Sequence, residues 1–144
     1  MKTQTLARLD MLAAEQETKL LDAIRRHNAT IAQTAHQRGV LESYRDRLAA
    51  SWQTGAIVPA AQARRAGQFV TASHGAQAQI DQAADLAAEQ LEAAITNLAK
   101  LQAHRRSLAK AQREAARQAE NAAEQRQERD MPWRRQAGRA RRSA

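Results

Sequence analysis

The chain has no cysteine, two prolines, five glycines and four aromatic residues among 144. Without cysteine there are no disulfides, no thiolate metal sites and no cysteine nucleophile, and a reducing compartment is permitted. The glycines, at 39, 55, 67, 75 and 138, are scattered, so neither a G-x-x-x-x-G-K-[ST] nor a G-x-G-x-x-G loop is present to cradle a phosphate. His27, His36, His74 and His104 form no H-E-x-x-H, and no two lie three or four apart to share a helical face as zinc ligands would. No apolar run approaches the roughly 20 residues that span a bilayer, and residues 1–10 contain no continuous apolar segment of the secretory type. The expectation is a soluble, cytoplasmic, non-enzymatic protein with no cofactor, no metal, no small-molecule substrate and no membrane insertion.

What the chain has in excess is alanine, 35 residues of the total, with glutamine and mixed charge. Large apolar side chains fill globular cores, whereas this composition belongs to long helices joined by a thin seam. The formal net charge is +8 with a pI near 11.1, which points to an acidic partner. Arg134, Arg135, Arg139, Arg141 and Arg142 place +5 of that charge in residues 132–144, an Arg-rich tail expected to be flexible, and leave +3 on the rest. That uneven distribution weakens the case for nucleic acid.

Residues 41–80 organise the pattern. Leu41, Tyr44, Leu48 and Trp52 are spaced three or four apart; then come Thr54-Gly55-Ala56-Ile57-Val58-Pro59; then Phe69, Ser73, Ala76 and Ile80 repeat the spacing. Intervals of three and four place side chains on one helical face, so the pattern predicts two helices joined by a bend. Upstream the stripe continues through Leu6, Leu9, Ala13, Leu20, Ile24, His27, Ile31 and Thr34, with Glu17 and Arg38 as charged interruptions and Gly39 as a soft place. Downstream it runs through Ala84, Ala87, Leu91, Ile95, Leu98, Leu101, Leu108, Ala115, Ala119 and Ala122. His27 reads most simply as a core polar residue.

Gly55 suits the end of the first helix and Pro59 the first turn of the next. Gly67 and the group Thr71-Ala72-Ser73-His74-Gly75 are poor helix formers, which predicts a separate short helix over 59–66 before the second arm becomes regular. The predicted fold is all-α: a long antiparallel two-helix coiled-coil hairpin over 1–131, monomeric when free, with arms at 3–53 and 59–129 and a bend at 54–75. At 1.5 Å per residue the arms span about 77 and about 107 Å, so the second outruns the first beyond about residue 112. Asp130-Met131-Pro132 closes the helix, because proline disfavours helix in the residue before it. Tyr44 and Phe69 carry two readings, as local packing that closes the hairpin or as a partly exposed docking patch.

Leu41-Glu42-Ser43-Tyr44-Arg45-Asp46-Arg47-Leu48, the bend with Gly55, the Ala66-Gly67-Gln68-Phe69 segment and the Ile80-Asp81-Gln82 run together resemble the FliJ/YscO family over residues 6–130. These are stalk proteins of the type III secretion machines that export protein in flagellum biogenesis, which underlies chemotaxis, and in injectisomes. The resemblance implies a non-enzymatic, cytoplasmic coiled coil peripherally associated with the inner-membrane export apparatus. It implies that the chain ends occupy the pore of an export ATPase hexamer and the bend end meets the cytoplasmic domain of the export gate, with export chaperones as further partners. Carried over by position, the gate-facing residues are Gln37, Leu41, Tyr44, Phe69, Ser73, Ala76 and Ile80, of which Ser73 departs from the larger apolar residue expected. The pore-facing set is Leu6, Leu9, Ala115, Ala119 and Ala122. The Tyr44-Arg45 signature leans towards the flagellar branch, while the Ala/Arg content is common in injectisome relatives. The other readings are a nucleic-acid-associated basic coiled coil acting through the Arg tail, whose binding falls steeply with salt, and a homodimer paired through its alanine seams.

Overall fold

A computed structural model describes residues 2–53 and 57–131. Two helices account for nearly all of them: α1, Lys2–Trp52, of 51 residues, and α2, Ala60–Asp130, of 71 residues. They pack against one another as an all-α hairpin, and no strand occurs among the described residues. The predicted arms at 3–53 and 59–129 agree with these bounds to a residue at each end. The expectations for Gly55 and for the Arg-rich tail fall outside the described residues.

The helix ends follow from backbone bonding. Ser51 Oγ donates to the Leu48 carbonyl at 2.7 Å and Gln53 N to the Ala50 carbonyl at 3.2 Å, a tight last turn that closes α1. Pro59 sits one residue before α2, and its carbonyl accepts from the amides of Gln62 and Ala63 at 3.0 and 3.1 Å, opening the new helix.

The separate short helix expected over 59–66 does not form. α2 runs without interruption through Gly67 and through residues 71–75. Helix propensity is a weak prior, and here contacts with α1 oppose it. Phe69 packs on Tyr44, and Arg45 reaches both His74 and Gln77, which holds the weak segment in helical register. α1 likewise continues through Gly39.

Contacts divide the chain into two compact units. The bend unit, Thr18–Ala99, pairs the later part of α1 with the earlier part of α2; its contacts join Arg38 to Asp81 and Tyr44 to Phe69, so positions descend on α2 as they rise on α1. Its buried residues are Thr34, Ser73, Ala87 and Ala94. The terminal unit, Met1–Glu17 with Lys100–Ala144, buries Ala13 and Leu108. No large side chain is fully enclosed among the described residues, as an alanine-rich seam implies. Assignments on that seam are corrected: Ala94 occupies it while Ile95 is 51% exposed, Leu9 and Trp52 keep 42% and 41% of their surface in solvent, and Ala119 and Ala122 lie in an exposed stretch of α2. Ala94 continues the alternation of four and three that runs through Ala87, Leu91, Leu98 and Leu101, whereas Ile95, four residues after Leu91, repeats a four and falls beside the seam.

Gly39, Gly67 and Gly75 lie inside helices where an added Cβ would meet nothing within 4 Å. Replacing any one by alanine removes backbone freedom from the unfolded chain at no steric cost in the folded one. Urea unfolding should show each of Gly39→Ala, Gly67→Ala and Gly75→Ala more stable by about 0.5–1 kcal/mol. Destabilisation at any of the three would mean that its helix is not continuous there.

Candidate partner-docking site

The bend unit gathers residues that lie far apart in sequence. Tyr44 from α1 and Phe69 from α2 meet with ring centroids 5.5 Å apart and planes tilted by 47°, an arrangement that suits the aromatic quadrupole and contributes about 0.5–1.5 kcal/mol beyond area burial. The contact covers only part of each ring: Tyr44 remains 57% exposed and Phe69 38%. The rings therefore close the helix pair and still leave apolar surface exposed.

In the same unit Gln37 and Leu41 of α1 and Ala76 and Ile80 of α2 line one apolar groove, together with Val40. Val40, 50% exposed, had no place in the sequence-derived set; lying four residues before Tyr44, it shares that ring's helical face, and the spacing could have found it. Ser73 behaves differently. It is 3% exposed and its hydroxyl makes no hydrogen bond, so it belongs to the helix seam and offers no outward surface. Thr34, also buried, satisfies its hydroxyl by donating to the Thr30 and Ile31 carbonyls at 2.9 Å.

Polar contacts flank the groove. Arg45 lies beside His74 Nδ1 at 2.9 Å and donates to Gln77 Oε1. A guanidinium has only donors, so Nδ1 is the acceptor and the neutral imidazole carries its proton on Nε2. Arg38 bridges to Asp81 at 3.3 Å and to Glu42 at 3.1 Å.

The terminal unit holds a different constellation. Arg105 donates to Asp10 Oδ1 at 3.1 Å and to Glu17 Oε2 at 2.6 Å. Bonds to Asp10 first, and to Glu17 second, hold the guanidinium above even its usual high range, so the cation is permanent. Glu17, expected to flaw the seam, is half of its ion set. Arg105 was missed, although the interval of seven between Leu101 and Leu108 leaves a seam position for it. The expected pore-facing residues all lie in this unit: Leu6 and Ala115 are half-buried, while Leu9, Ala119 and Ala122 are exposed. From residue 116 to residue 130, α2 is exposed throughout. No helix of the described residues is long and apolar enough to cross a membrane.

The chain matches no protein-family model, no curated protein and no solved structure.

Two substitutions test this description. Ser73→Ala removes a buried hydroxyl that has no partner, and thermal unfolding should show a gain of about 1 kcal/mol; a loss would reveal a bond to that hydroxyl. Arg105→Met leaves the Asp10 and Glu17 carboxylates on the seam without their cation, and amide exchange in residues 2–17 should accelerate while the bend unit keeps its protection. Unchanged exchange there would show that the ion set does not hold the terminal unit.

Proposed function

We propose that the chain is a non-enzymatic stalk protein of a type III export apparatus, similar to the FliJ/YscO family and closer to its flagellar branch, with the bend unit carrying the surface for the cytoplasmic domain of the export gate. One observation carries the reading. Of the seven positions matched to gate-facing residues, four line one groove and two more, Tyr44 and Phe69, form the exposed ring pair. They come from two helices and from either side of the bend, and sequence spacing alone does not require them to assemble. Exposed aromatic side chains beside a small apolar groove have the character of interface anchors.

In this reading the terminal unit enters the pore of the export ATPase hexamer. The exposed stretch 116–130, bearing Ala119 and Ala122, supplies helical surface for that contact. The protein then acts at the cytoplasmic face of the inner membrane, peripheral to the export apparatus, and assists delivery of export chaperones and their cargo.

The test is capture of the purified gate domain and export ATPase by the full chain. Tyr44→Ala and Phe69→Ala should each weaken gate binding by roughly thirtyfold, the loss expected of an aromatic anchor, with helicity by circular dichroism unchanged. If helicity falls in step with binding, the rings serve the fold alone. Truncation after Arg113 should spare gate binding and impair ATPase binding; a truncated chain that binds the ATPase at full strength refutes the assignment of the terminal unit.

A further inference from the structure

From Arg47 to Ile80 the chain contains no acidic residue, a longer acid-free run than any other it has. Both sides of the bend lie within it. Arg47, Arg64 and Arg65 are exposed there, and among the described residues no carboxylate pairs with any of the three. Among the described residues Arg47 reaches Ser43 Oγ of its own helix, at 3.4 Å. Between these cations the bend presents Trp52, 41% exposed, and Ile57, fully exposed.

We propose that this end of the bend unit is a peripheral contact for an anionic lipid surface, with Ile57 and Trp52 entering the headgroup layer and Arg47, Arg64 and Arg65 meeting lipid phosphates. Charge complementarity is the first argument, since basic residues held near an anionic leaflet are attracted to it within a Debye length. The second is the indole, whose apolar body and polar N–H suit the boundary between hydrocarbon and water. The third is geometry. The end of two packed helices, each about 10 Å across, offers roughly 200 Å² end-on, whereas a stable protein interface takes about 800 Å² from each partner. A fluid surface needs no complementary pocket and meets so small an end without one. Arg45 is left out of the phosphate-contacting set, because its guanidinium already donates to His74 and Gln77; its charge remains and adds to the attraction. The proposal is independent of the export-stalk reading, which rests on the groove and the ring pair.

Trp133→Phe in the full chain leaves Trp52 as the single tryptophan and makes its emission a reporter of this end alone. Vesicles of equal parts phosphatidylcholine and phosphatidylglycerol at low ionic strength should shift that emission to the blue and, when brominated, quench it. Pure phosphatidylcholine should do neither. Replacing Arg47, Arg64 and Arg65 together by glutamine should weaken binding about fivefold per arginine, on the order of a hundredfold in all, with helicity unchanged, and Ile57→Asp should abolish the shift. Glutamine at the arginines of residues 134–142 should leave the Trp52 shift in place. The proposal is overturned if phosphatidylglycerol does not move Trp52 emission, if the triple-glutamine variant keeps the shift, or if the tail variant alone loses it. Should vesicles fail while an acidic soluble protein shifts Trp52, this end is a protein contact and the lipid assignment falls.

Discussion

The two helices meet across a seam of small side chains. Ala13, Ala87 and Ala94 are buried in it, and Leu108 is the one large apolar residue in the buried set. Alanine permits close approach but removes little area from water, at about 25 cal/mol for each Å². An alanine seam also resembles itself after a shift of seven residues, so apolar burial alone chooses poorly between neighbouring registers.

Groups other than the apolar seam make that choice. In the terminal unit Arg105 sits between Asp10 and Glu17; a shift of α2 by one heptad would bring Leu98 or Gln112 to those carboxylates and carry the cation away. In the bend unit the same role falls to Arg45 with His74 and Gln77, to Arg38 with Asp81, and to the Tyr44 and Phe69 rings. Charges within a seam contribute little net stability when desolvated, but they penalise every arrangement in which they lose their partners. Specificity of pairing here is therefore polar and aromatic, while attraction is spread thinly along the seam.

A thin seam also leaves surface over. Each helix spends one stripe on its partner, and the residues flanking that stripe remain open, among them Val40, Tyr44 and Phe69. Both proposed contacts draw on this surplus: the groove and ring pair for a protein domain, and the acid-free end with Trp52 and Ile57 for a charged lipid surface. They use different side chains, so each can be lost without the other.

The two arms and their outer limits were legible in the residues themselves, because spacings of three and four, one proline at residue 59 and another at residue 132 act locally. The stripe positions Leu41, Tyr44, Phe69 and Ile80 were legible too, since they keep the helical rhythm on either side of the bend; a docking role for them comes only from the family resemblance. Three features were not. Helix through Gly67 and residues 71–75 defies local propensity and depends on Tyr44 and Arg45, which approach only when the chain folds back. Ala94 enters the seam, and Ile95 leaves it, because the packing surface follows the backbone's repeat and not the size of the side chain. Arg105 gains its meaning from Asp10 and Glu17, some ninety residues earlier, whose proximity no local pattern announces. Sequence by itself determined where the first arm closes and where the second opens and stops, since those signals act within a turn or two; tertiary structure decided that the second arm is continuous and which residues face each other across the pair, because both depend on contacts between distant parts of the chain.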